Sequence, residues 1–128
     1  MPSLVISSIT AALLLLMLIG LDVGVIQRRL KAQISLETGG DAIMVNRVRA
    51  QANFTEHAPL ALIGLGLVEL AGAAAPVLWA IAGTLLVGRA AHAFGMYTGV
   101  LAGRQSGMIL TFISLATSAV VLLLKFLA

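Results

Sequence analysis

Two stretches leave this chain little freedom in how it folds. Residues 1–21 hold no charged side chain, and Leu4 to Leu21 is almost entirely apolar. Gln105 to Leu124 is a second run of 20 residues without a charge. At about 1.5 Å per residue, a helix of that length matches a hydrocarbon core roughly 30 Å thick. A water-soluble domain has no place to bury such runs. The whole chain agrees: 60% of its 128 residues are apolar and only 10% are charged. An ordinary soluble domain carries roughly a quarter charged residues. A disordered chain, a coiled coil and a soluble globule are therefore excluded. There is no cysteine, which excludes a disulfide scaffold and a thiolate metal site. Aromatic content is 5%, without alternating segments, which excludes a transmembrane barrel. The fold class expected is all-α: an integral membrane four-helix bundle forming one domain over 1–128.

The first run lacks a basic leader and continues past signal-peptide length, so a retained helix is expected. Four spans are predicted, at about 4–30, 43–71, 76–100 and 104–126. Gly39-Gly40-Asp41 is a turn signal after the first. Ala71 to Pro76 makes a short uncharged connection, with Pro76 suited to the first turn of the third span. Four spans put both termini on one side. The loops after spans 1 and 3, with their flanks and Arg89, hold seven of the eight basic residues. The positive-inside rule then puts those loops in the cytoplasm and both termini outside it. The net charge of +3 and the pI of about 10.2 serve this topology. No basic run is long enough to track phosphates and none is interleaved with stacking aromatics, so nucleic acid is not expected as a partner. With no repeat and no soluble domain, function must sit inside or at the edge of the bundle.

Ionisable groups within spans are costly and point to partners or wet cavities. Span 2 carries Arg49, Gln51, Asn53, Glu56 and His57. Arg49, Asn53 and Glu56, at i, i+4 and i+7, fall within about 60° on one helical face. They can serve a zwitterionic ligand or form a self-satisfied network; spacing leaves both open. Pro59 predicts a loosened turn beside Glu56, or is simply a tolerated membrane-helix proline. Span 3 carries Arg89, His92 and Tyr97. Arg89 is expected to neutralise a buried carboxylate, Glu69 or Glu56. His92 is expected in a hydrogen-bonded helix contact; with His57 as the only other histidine, no metal site is expected. Glycines 95, 99 and 103 suggest close helix packing, as do Gly107, Thr111, Ser114 and Ser118. Asp22 is expected to find a cation: Arg29, seven residues on, or one from a neighbouring subunit.

At these residues a resemblance enters. Arg49-Ala50-Gln51-Ala52-Asn53-Phe54-Thr55-Glu56-His57-Ala58-Pro59-Leu60 resembles the signature of the membrane-associated proteins in eicosanoid and glutathione metabolism, the MAPEG family. It is most similar to the leukotriene C-forming branch. Gly88-Arg89-Ala90-Ala91-His92 resembles a stretch in the prostaglandin E synthase branch, and the overall look is that of bacterial members, which implies a bacterial inner membrane, with some likeness to microsomal glutathione transferases. The resemblance implies a homotrimer binding glutathione between protomers. Arg49, Asn53 and Glu56, with Gln51, His57 and His92, would hold the tripeptide. Its two carboxylates suit arginines and its ammonium suits Glu56. Arg28 or Arg29 of the adjacent protomer would clamp a carboxylate. Arg104 would stabilise the thiolate, and Tyr97 would donate to substrate or thiolate. A lipophilic small molecule would enter from the membrane lipid. The sequence departs from the family at two places: His57 replaces a tyrosine of the leukotriene branch, and Ala52 an arginine of the prostaglandin branch.

The function expected is that of a glutathione-dependent membrane transferase or peroxidase. The alternative is a non-catalytic lipid- or glutathione-binding protein of the same fold. A small multidrug transporter ranks last, because span 1 has no charge before Asp22.

Overall fold

A computed structural model describes residues 3–127. It contains four helices: α1 (Val5–Ala32), α2 (Ala42–Leu70), α3 (Ala75–Thr98) and α4 (Leu101–Leu127). Three of them, α1, α3 and α4, are long and apolar enough to cross a membrane on their own. α2 has 29 residues but carries the polar signature. It remains one helix through Pro59, which is exposed on its surface.

The helix ends follow local chemistry. Gly39 and Gly40 have φ of 56° and 75°, a left-handed pair that glycine adopts without a Cβ penalty. Asp41 caps α2 by accepting from the Met44 amide at 2.6 Å. Arg28 grips the same carboxylate with both arms of its fork, Nε to Oδ1 at 3.0 Å and Nη2 to Oδ2 at 2.5 Å. Arg29 donates to the carbonyls of Ser35 and Glu37, at 3.4 and 3.0 Å. The α1–α2 loop is thus tied down by two adjacent arginines. The Arg28 hydrogen bond, then the Met44 amide, hold the Asp41 carboxyl at about 2, against an ordinary 3.8. Because the folded value lies below the unfolded one, the cap's contribution is complete above about pH 4 and is lost as pH falls through about 2. Amide exchange at Met44 should therefore accelerate across that acid window. In Asp41→Ala, which removes the acceptor, it should already be fast at neutral pH. A flat profile in the wild-type chain overturns the ion-pair cap.

The arrangement is not a ring of four in sequence order. α2 and α3 share the middle and each packs on three helices, while the backbones of α1 and α4 do not come close among the described residues. Two apolar layers stack along the bundle. One gathers Leu14, Leu21, Phe54, Ala58, Ala61, Leu85 and Met96; the other gathers Ile6, Leu65, Val68, Leu78, Ile81 and Ala82. In lipid such layers hold helices by close packing rather than by expelling water.

The tightest seam joins α3 to α4, and it keeps Gly95 and Gly103 of the expected 95–99–103 repeat but not Gly99. Gly99 is the αL residue that ends α3, with φ 78°, and Gly103 already belongs to α4. The seam consists of Gly88 and Gly95 on α3 against Gly103 and Gly107 on α4. A Cβ on Gly107 would meet the His92 backbone nitrogen, and would lie 2.7 Å from both Gly88 O and His92 Cα. Thr111 and Ser114 extend the seam as expected, with Ser114 Oγ donating to Ile81 O at 3.0 Å, while buried Ser118 packs against Gly64 of α2.

Glu69 does not meet Arg89. Its carboxylate accepts from the amides of Ile6 and Ser7 at 2.9 and 2.8 Å and from the Ser7 hydroxyl at 2.6 Å. The N-cap of α1, Leu4, has no side-chain cap bond. Glu69 supplies it from across the bundle, satisfying amides that would otherwise be left open in an apolar setting.

Candidate functional site

One end of the bundle gathers the C-terminal parts of α1 and α3 and the N-terminal parts of α2 and α4. Every basic side chain except Lys125 lies there. α2 presents three distinct faces at this end, because its side chains step by about 100°.

The first face is apolar. Ala50, Phe54, Ala58 and Ala61 point into the core. The second turns to α1. Arg47 donates to Gly24 O at 2.5 Å, and Gln51 Nε2 donates to Asp22 Oδ1 at 2.5 Å. Asp22 therefore finds an amide on α2 rather than Arg29. Arg47 also lies over the Tyr97 ring, 5.3 Å from its centroid. The Tyr97 hydroxyl occupies the space a Cβ on Gly24 would need, so the missing side chain lets α3 reach α1. Arg47 was not singled out in the sequence. Its signal was the i, i+4 relation to Gln51, which separates it from Arg49 by roughly 200°.

The third face points away from the core. Arg49 and Glu56 are exposed, with no hydrogen bond or ion pair among the described residues. Asn53 is half-buried at the edge of this face, and its Oδ1 accepts from Arg89 Nη1 at 2.8 Å. His57 is half-buried one turn further on. Its Nδ1–H donates to Asn53 O at 2.9 Å, and its ring tilts 52° against Phe112 at 6.0 Å.

Arg89 is 1% exposed and pairs with no carboxylate among the described residues. The expected neutralisation of Glu69 or Glu56 is not what the structure shows. Glu69 is committed to α1, and Glu56 points outward. Arg89 is instead solvated by neutral oxygens, which an interior guanidinium needs when no acid is present.

His92 and Arg104 line one groove of about 680 Å³, with Leu101, Gln105, Met108 and Ile109. His92 lies 7% exposed beneath it, at the α3–α4 contact as expected but without the expected hydrogen bond to its ring among the described residues. Arg104, in the first turns of α4, is exposed and unpaired among the described residues. A second groove of about 300 Å³ runs between α1 and α3, from Met17 to Tyr97.

The candidate residues thus share one end of the molecule but not one pocket. Arg49, Asn53 and Glu56 form an outward stripe, and Arg104 with His92 forms a groove. Tyr97 is held at the α1–α3 junction. Arg28, Arg29 and Gln51 already have partners within the protomer. The stripe offers a cation, an amide donor and an anion, with its two charges exposed and no opposing wall among the described residues. That donor set fits a molecule with carboxylates and an ammonium.

A model of the MAPEG family matches residues 7–124. The chain is also similar to "Inner membrane protein YecN" of Escherichia coli strain K12 and to its namesake from Escherichia coli O6:H1. Each is 26% identical over 110 residues, which cover 86% of this chain and 84% of the relative. No solved structure matches the chain.

Proposed function

The chain belongs to the MAPEG family and is an integral membrane protein of four helices, and from that premise we propose a glutathione-dependent transferase or peroxidase acting on a lipophilic electrophile or hydroperoxide. One observation carries this reading: Arg49 and Glu56, of opposite charge, point outward beside Asn53 with no partner among the described residues. Unpaired charges at the edge of a membrane bundle are costly and call for a partner.

Glutathione, when bound, supplies a nucleophilic thiol. Arg49 and Asn53 donate to a carboxylate, and Glu56 accepts from the ammonium. Arg104 holds the sulfur as thiolate, helped by the N-terminus of α4, whose first turn has no acidic residue. His92 shapes the floor of the Arg104 groove, and Tyr97 donates to substrate from the α1 side. The stripe lacks an opposing wall, which supports a homotrimer in which a neighbouring protomer supplies one. The relatives' name supports the inner membrane, and the basic end supports cytoplasmic loops with both termini outside.

The test is calorimetric titration of reduced glutathione into purified protein whose oligomeric state is read by crosslinking. Arg49→Ala and Glu56→Ala should each weaken binding at least tenfold, because each strands a charge of the ligand. Equal binding by all three proteins overturns the site. Dimers without trimers overturn the assembly. Binding without conjugation or peroxide reduction across a panel of lipophilic substrates selects the non-catalytic alternative.

A further inference from the structure

Arg89 is the largest fully buried side chain, yet it pairs with no acid among the described residues. Its donors all reach neutral groups. Nε and Nη2 reach Thr111 Oγ1 at 3.0 and 2.7 Å. Nη1 reaches Asn53 Oδ1 at 2.8 Å and Asn53 O at 3.3 Å, and Nη2 lies 3.6 Å from Met108 Sδ. Thr111 passes its own hydrogen to Gly107 O at 2.8 Å, which leaves its lone pairs for Arg89. A guanidinium carries donors only. The Asn53 carbonyl oxygen must therefore face Arg89, and its NH2 must face away.

We propose that Arg89 is a positioning residue that locks the Asn53 amide with its NH2 outward, beside Arg49 and Glu56, so that Asn53 selects a carboxylate. This rests on reading the stripe as the glutathione site. A free asparagine can present its oxygen or its nitrogen by a half-turn of the amide. The Thr111-anchored fork removes that choice. Asn53 Nδ2 has no partner within the protomer among the described residues. It is also not buried, because Ser118 Oγ is the one buried side-chain nitrogen or oxygen without a partner among them. Two donors, from Arg49 and Asn53, then face one acceptor, and Glu56 takes the cation. The buried guanidinium, lacking a counter-ion, also favours an anion nearby.

The experiment titrates reduced glutathione and its diethyl ester into the full-length protein in detergent. Wild type is compared with Asn53→Asp, Arg89→Lys, Arg49→Ala and Glu56→Ala, with folding followed by circular dichroism. Asn53→Asp keeps an acceptor for Arg89 and gains an ion pair, so it should melt no lower than wild type. It should bind glutathione at least tenfold more weakly, because the donor is gone. Arg89→Lys replaces the fork with a point charge that cannot grip Asn53 and Thr111 together. Its ratio of glutathione to diester affinity should shrink severalfold while its helicity is unchanged. A purely structural Arg89 lowers stability and leaves that ratio alone. Wild-type affinity in Asn53→Asp, or a wild-type ratio in Arg89→Lys, overturns the proposal. If Arg49→Ala and Glu56→Ala still lose binding in that case, the site stands and only the orientation role falls. If those two bind normally, or wild type binds nothing, the site falls with it.

Discussion

Gly107→Ala should lower the melting temperature by several degrees, whereas Gly83→Ala on α3 should leave it unchanged or raise it. Intrinsic helix propensity favours alanine over glycine by about 1 kcal/mol at both positions. Their surroundings reverse the sign at only one. A Cβ at Gly83 meets nothing within 4 Å. At Gly107 it runs into the His92 backbone nitrogen and lies 2.7 Å from Gly88 O. These are main-chain atoms of the facing helix, so no rotamer change relieves them. α3 and α4 must move apart, and forced overpacking of this kind costs about 1–3 kcal/mol. That outweighs the propensity gain and is a large part of a typical stability of about 5–15 kcal/mol. The opening of the seam also displaces His92 and Arg104, which line one groove across it. Thermal unfolding in detergent, followed by circular dichroism, decides the matter. Equal shifts for the two variants would overturn the backbone-to-backbone contact.

Arg104→Ala should reduce turnover by about 100- to 1000-fold, the range found when a preorganised electrostatic partner is removed. The mechanism is specific. A thiol ionises more readily beside a cation and at a helix N-terminus, and Arg104 in the first turns of α4 offers both. Without the guanidinium, thiolate absorbance on adding glutathione at neutral pH should disappear. The rate profile should move to higher pH, as more base is needed to form the nucleophile. Arg104→Lys should retain part of both signals, because the charge remains. Binding should fall less than turnover, since Arg49, Asn53 and Glu56 are intact. Thiolate absorbance unchanged in Arg104→Ala removes this role from Arg104.

The helices were legible because their causes are local. Charge-free runs, Gly39-Gly40-Asp41 and Pro76 placed α1, α2 and α3 within two residues of their observed ends. The start of α4 came three residues earlier than the basic residue at 104 suggested. Leu101 and Ala102 are good helix formers, and the turn at Gly99 and Val100 needs only two residues. That Arg49, Asn53 and Glu56 share one face was also legible, since spacing on one helix fixes its own angles; that this face points outward was not. What could not be read was which neighbour each face would meet. Gln51 belonged on paper with Arg49 and Asn53, but lies on the α1 side with Arg47. Asp22 and Arg29, seven residues apart, looked like partners, yet Arg29 serves the loop carbonyls.

Residue order was enough to specify a four-helix membrane protein, its basic end, its family resemblance and the Arg49–Asn53–Glu56 stripe. Those follow from hydropathy and from angles along a single helix, both carried by neighbouring residues. Packing was needed to show that Glu69 caps α1 from 62 and 63 residues away, and that Arg89 rests on Thr111 and Asn53 with no acid beside it among the described residues. It alone separated α1 from α4 and moved the glycine seam across a helix boundary. Helical periodicity says which way a side chain points, and only packing says what it finds there. In a chain with 13 charged residues, 8 basic and 5 acidic, the partner each one finds decides whether it remains free to hold a ligand.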